Sequence, residues 1–131
     1  MKKWILLLLI CSANTCVASE LQGAWKLVSG EYIDQNGKLT SYQSINLQSL
    51  KVLSESHFSF TSVKGDSFWA AGSGTYKFAD GKYQETLNFN SFGQSKGSQF
   101  TFDSKLVGNI WYNSRWEGET RVEYEVWQRV E

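Results

Sequence analysis

An antiparallel up-and-down β-barrel of about eight strands, an all-β fold, is what this sequence predicts. Three observations carry the expectation. Aromatic residues abound, with six Trp, six Tyr and eight Phe, while proline is absent; strands accept bulky aromatics and exclude proline from their ladders. Short candidate strands recur at hairpin spacing, separated by turn residues, with no long helical periodicity between them. Tryptophan motifs stand at both ends of this region, Gly23-Ala24-Trp25 and Trp127-Gln128-Arg129.

The elements follow in order. Leu21 to Tyr32 reads as the first strand, with Trp25 and Leu27 on one face, and Asp34 to Lys38 as a turn around Asn36-Gly37. Leu39 to Asn46 is polar and irregular, fitting a short helix or a loop that closes one end of a barrel. Leu47 to Val63 holds a strand pair or one bent strand, and Gly65-Asp66 turns the chain. Phe68 to Phe78 is the next strand; Gly72-Ser73-Gly74 at its centre marks a bulge, a sharp bend or a close backbone approach. A phosphate-cradling loop would need a following helix, which the pattern lacks. Asp80-Gly81 is a hairpin signal leading into Lys82 to Asn90, and Ser91 to Gly97 is another turn. Gln99 to Asp103, Val107 to Tyr112 and Arg121 to Val130 complete the set, with Gly118 in the last turn.

Residues 1–18 have the grammar of a secretory signal peptide: basic Met1-Lys2-Lys3, apolar Trp4 to Ile10, then small residues around Val17-Ala18-Ser19. The apolar run is far shorter than the roughly 20 residues that span a bilayer. Residues 19–131 are then a single exported domain, periplasmic or secreted, without a transmembrane anchor after cleavage. Cys11 and Cys16 follow Ile10 and Thr15, which does not fit the small residue required before a lipidated cysteine. Both cysteines leave with the signal, so the mature core must hold without disulfides. Losing Lys2 and Lys3 turns a balanced charge slightly acidic. No nucleic-acid partner is expected from such a balance.

Gly23-Ala24-Trp25-Lys26-Leu27, His57-Phe58-Ser59-Phe60, Gly72-Ser73-Gly74-Thr75-Tyr76, Tyr83-Gln84-Glu85 and Glu125-Val126-Trp127-Gln128-Arg129 occur in an order that resembles the calycin superfamily. More closely, the chain is similar to small exported bacterial lipocalin-like proteins of uncharacterised function. The resemblance implies a structural clasp formed by Gly23, Trp25, Trp127 and Arg129. In it, Trp25 packs over the closed end and Arg129 lies across it, bonding to nearby backbone. Indole and guanidinium suit such a contact.

Within the candidate barrel, Tyr83, Glu85, Leu87 and Phe89 share one face at period two. Glu85 is the polar exception there, and a buried carboxyl needs donors. His57, Tyr76, Tyr83 and the indoles of Trp111 and Trp127 are the candidates. Glu85 therefore reads as a satisfied structural carboxylate, a ligand-orienting group or a catalytic acid–base. His57 is the only histidine; alone it builds no multi-histidine metal site, and neither a metal nor a cofactor is expected. The last strand leaves two orientations open. Apolarity points Val122, Tyr124, Val126 and Val130 inward, the family resemblance points Trp127 and Arg129 inward, and a bulge would reconcile them. Glu117, Glu119, Glu123 and Glu125, interleaved with Arg115 and Arg121, read as an exposed, charge-alternating hairpin.

These residues make a monomeric, non-enzymatic binding module the leading expectation, with a small hydrophobic or amphipathic ligand between aromatic walls. The candidate lining is His57, Phe58, Phe60, Tyr76, Tyr83, Glu85, Phe100, Phe102 and Trp111. A barrel packed solid and acting through its surface in envelope protein–protein contacts is the second reading. An enzyme using Glu85 with His57 or a tyrosine is the third. On the first reading, Glu85→Gln should change binding more than folding, while Trp25→Ala or Arg129→Ala should lower stability.

Overall fold

A computed structural model describes residues 19–131; the expected signal peptide, with both cysteines, lies outside the described residues. Among those residues nine strands form one antiparallel sheet: β1 (Gly23–Ile33), β2 (Leu39–Ser41), β3 (Leu47–Leu53), β4 (His57–Lys64), β5 (Ser67–Ala79), β6 (Lys82–Asn90), β7 (Gln99–Val107), β8 (Ile110–Glu117) and β9 (Thr120–Arg129). From β3 onward each strand pairs with the next, β3 pairs back to β1, and β1 pairs with β9. Eight strands thus close a barrel, an architecture consistent with the lipocalin-like fold expected. The three-residue β2 only flanks one end of β1. Closure leaves the eight-stranded ring without a free edge.

Local chemistry sets the hairpins. Asp80 and Gly81 both have positive φ, 54° and 70°, as a tight hairpin turn of two residues requires. The expected strand over Val107 to Tyr112 is corrected. Gly108, at φ 58°, turns the chain there, so β7 runs to Val107 and β8 starts at Ile110. The segment 39–46 contains β2 and a single 3₁₀ turn, Gln43–Ile45. At Gly74 the strands approach so closely that a Cβ would lie 1.9 Å from the Thr86 carbonyl oxygen. Only glycine fits that spacing without a shift of backbone.

Register shifts decide which side chains enter the barrel. One, between Leu27 and Ser29, lets β1 direct both Leu27 and Tyr32 to the face shared with Trp127 and Glu123 of β9. Another lies between Gly74 and Ser73, opposite Leu87 and Phe89. It corrects the expected common face of β6. Tyr83, Glu85 and Leu87 are buried, but Phe89 passes to the outside and is 73% exposed. A third shift, at Arg115 and Trp116, falls opposite buried Val122.

One end of the barrel is closed. Trp25 is fully buried, its indole N–H donating to the Leu21 carbonyl at 2.8 Å and its ring meeting Trp111 edge-on at 5.4 Å. The Arg129 guanidinium lies 4.2 Å from the Trp25 ring centre. Its two terminal nitrogens donate to the carbonyls of Gln22 and Glu20 at 2.6 and 2.7 Å. Residues 20–22 are thereby drawn across the barrel end, and the buried Leu21 side chain plugs it. Gly23 belongs to the same joint, since a Cβ there would collide with the Glu131 carbonyl.

Candidate functional site

Above this closed end the barrel is hollow. A cavity of about 510 Å³ is lined by Leu27, Tyr32, Tyr42, Leu47, Ser49, Lys51, Phe60, Ser62, Trp69, Ala70, Glu85, Ser91, Phe92, Phe100, Phe102, Glu123, Glu125 and Trp127. That size and its mainly apolar walls match sites that hold small molecules. Tyr32 and Tyr42 stack at 5.5 Å, and Trp69 tilts against Tyr32 at 6.1 Å. Phe60 meets Phe92 at 6.0 Å. Trp69 and Phe92 are substantially exposed and form the rim.

The polar chemistry lies deeper. Alternation along β3 turns Ser49, Lys51 and Leu53 inward and leaves Leu50 and Val52 outside. Lys51 Nζ donates to Glu85 Oε1 at 2.7 Å, and the Tyr83 hydroxyl donates to the same oxygen at 2.9 Å. Both ion-pair partners are buried. The Lys51 ammonium is also ringed by aromatics, lying 4.9 Å from the Trp127 ring centre, 5.4 Å from Tyr83 and 5.5 Å from Trp111. Burial alone would lower its pKa, but Glu85 and Glu125, with the hydrogen bond to Glu85, outweigh it and hold the pKa above the ordinary value. Burial raises the Tyr83 hydroxyl well above the normal tyrosine range, and neighbouring Glu85 adds to the rise. Tyr83 therefore serves as a donor.

β9 supplies two more carboxyls. Glu123 accepts from Arg115 Nε at 2.6 Å. Glu125 Oε2 accepts from the Trp127 indole at 2.8 Å, and its other oxygen has no hydrogen-bond partner among the described residues. Desolvation raises the Glu125 pKa from 4.5 to about 7, with Glu123 and Glu85 adding and Lys51 opposing. The sign of the linkage follows. A folded-state pKa above the unfolded one gives stability that is full below about pH 4.5 and is lost as pH rises through about 7. Chemical denaturation across that window should show stability falling with pH by about 3 kcal/mol. Glu125→Gln should flatten the fall; a variant that keeps the full slope would assign it to another group.

The structure brings together Phe58, Phe60, Tyr76, Tyr83, Glu85, Phe100, Phe102 and Trp111 on the barrel interior. Of these, Phe60, Glu85, Phe100 and Phe102 line the cavity. Phe58, Tyr76, Tyr83 and Trp111 pack beneath it in the core. Tyr76 donates to the Ser54 carbonyl at 2.6 Å and Trp111 to Ser104 Oγ at 2.8 Å, so neither serves Glu85. His57 is not part of the group: it is exposed at the start of β4, 2.8 Å from Ser56 Oγ. Trp127, placed by the resemblance in the clasp, is a cavity wall. The open question of β9 resolves with Glu123, Glu125 and Trp127 inward, while Tyr124 and Val126 pair with outward Glu31 and Ser29. The charged hairpin is accordingly corrected. Glu117 and Glu119 are exposed at its tip, but Glu123 and Glu125 enter the cavity.

Sequence reasoning missed Lys51, Glu125 and the cavity aromatics Tyr32, Tyr42, Trp69 and Phe92. One signal for Lys51 was available: it shares strand parity with Leu47 and Leu53, and inward Glu85 requires a cation. Among the described residues no cluster of His, Cys, Asp and Glu is arranged to hold a metal ion, and no helix is long and apolar enough to cross a membrane.

The fold and site define a closed antiparallel β-barrel with an aromatic-walled cavity over a buried ion pair. Comparison of the chain with protein families, curated proteins and solved structures gives no match.

Proposed function

We propose that this protein is an exported, lipocalin-like binding protein that holds one small, partly apolar molecule inside the barrel. The observation that carries the reading is the cavity of about 510 Å³, walled by Phe60, Trp69, Phe92, Phe100 and Trp127. A barrel of eight strands is narrow enough for its own side chains to fill; here Ser49, Ser62 and Ala70 occupy wall positions and leave the space open. Apolar walls supply affinity by burial, and a few fixed polar groups orient the guest.

A neutral fluorescent amphiphile, N-phenyl-1-naphthylamine, tests the reading. It should bind saturably at one site per chain. Ala70→Phe puts a ring into the cavity wall and should weaken binding by roughly tenfold or more, a loss of about 1.4 kcal/mol. The folded state of that variant is checked by circular dichroism. Absence of saturable binding by the folded wild type to this probe and to a panel of neutral amphiphiles would overturn the proposal.

A further inference from the structure

We infer that the cavity is built for an organic cation: an amphipathic amine whose ammonium group meets Glu125 between the aromatic walls. This rests on the binding role proposed above and names the ligand class of the same site.

The charge count in the cavity carries the inference. Glu85, Glu123 and Glu125 line it, against Lys51 alone. Arg115, reaching Glu123 at 2.6 Å, is a second basic group. Lys51 is matched to Glu85 at 2.7 Å and Arg115 to Glu123, which leaves the Glu125 carboxyl without a basic partner in contact among the described residues. Among the described residues its only hydrogen bond comes from the neutral Trp127 indole. Below about pH 7 the Glu125 proton offsets that surplus, since its pKa is pushed up to about 7. A bound ammonium would replace the proton.

The interior already shows what it does with an ammonium. Lys51 Nζ sits among aromatic rings at 4.9 to 5.9 Å with a carboxylate in contact, an arrangement that stabilises a desolvated cation. Glu125 repeats the carboxylate half of this arrangement on the cavity side, beside Trp127, with stacked Tyr32 and Tyr42 also lining the space. An anionic ligand finds the opposite. It would join a surplus of carboxyls, and Lys51 is occupied by Glu85 and enclosed by rings. The titrating surroundings of Glu125 are Lys51 on β3, Glu85 on β6, Glu123 on β9, Arg115 on β8 and Tyr42 ahead of the 3₁₀ turn. Glu125 itself has its value pushed up to about 7.

The test compares decylamine, decanol and decanoate, which share a chain and differ in charge, by tryptophan fluorescence and calorimetric titration. Decylamine should bind at least roughly tenfold more tightly than decanol, with decanoate weakest. Its affinity should climb as pH rises through about 7, with proton release on binding below that point. Glu125→Gln should bring decylamine down to the level of decanol while leaving decanol binding in place. Retained decanol binding also shows that the variant is folded. Equal or tighter binding of decanol or decanoate would overturn the cationic assignment and leave the binding role standing. Failure of all three to bind would overturn both. An amine preference that survives in Glu125→Gln and vanishes in Glu123→Gln would overturn the role of Glu125.

Discussion

Lys51→Met should cost about 3–5 kcal/mol of folding stability, because breaking a buried ion pair from one side strands the other charge. Glu85 would keep only the Tyr83 hydroxyl, at 2.9 Å, after losing the ammonium at 2.7 Å. Burial of both partners removes the water that would otherwise solvate the orphaned carboxylate. The double variant Lys51→Met with Glu85→Leu removes both charges and should recover much of the loss. Denaturant unfolding of the wild type, the single and the double variants measures this directly. A single variant within about 1 kcal/mol of wild type would mean that the pair is in effect solvated. The same geometry revises the expectation for Glu85→Gln. That substitution takes the contacting counter-charge from a buried lysine, so it should lower stability as well as alter binding.

Trp25→Ala should cost a similar amount, about 3–5 kcal/mol, for a different reason. Trp25 is 0% exposed, and its loss opens a void between Leu21 and Trp111 while orphaning the Leu21 carbonyl. Arg129→Ala removes the cation–π contact and two backbone hydrogen bonds at a more exposed place, and should cost about 1–2 kcal/mol. Thermal and denaturant midpoints check both. Because Trp25 does not line the cavity, the folded fraction of Trp25→Ala should still bind one probe per chain. An Arg129→Ala loss exceeding that of Trp25→Ala would reverse the roles of cap and packing.

The two effects differ in how readily the chain reveals them. The closed end was legible because it obeys the usual sorting of residues: Trp25 and Leu27 face in, and the hairpin turns at Asn36-Gly37 and Asp80-Gly81 carry their own backbone chemistry. The cavity was hidden because it inverts that sorting. On β3, Ser49 and Lys51 face in while Leu50 and Val52 are nearly half exposed. On β9, Glu123 and Glu125 face in while Tyr124 and Val126 sit on the other face. Hydropathy alternation votes for the wrong face of a strand whose inner positions are polar or charged. Bulges add a second obstacle, since each reverses parity; Gly72-Ser73-Gly74 marks the place of one on β5, but not which residue of the partner strand is the extra one. Period two alone puts Phe89 inward for this reason; the shifted pairing with Ser73 turns it outside. Glu85 remained legible because it was the lone polar residue among Tyr83 and Leu87.

Entry of a small molecule into the barrel can be read directly, because the tryptophan indoles report from known depths. Trp127 and Trp69 line the cavity, Trp25 is sealed beneath it, and Trp116 lies on the outer surface at 48% exposure. Nitrogen-15 NMR with assigned indole N–H signals, followed through a titration with decylamine or a neutral amphiphile, separates these places. Binding inside the barrel should give saturable shifts at Trp127 and Trp69 with little change at Trp25 and Trp116. Shifts confined to Trp116 and the outer strand faces, with Trp127 unmoved at saturation, would contradict it.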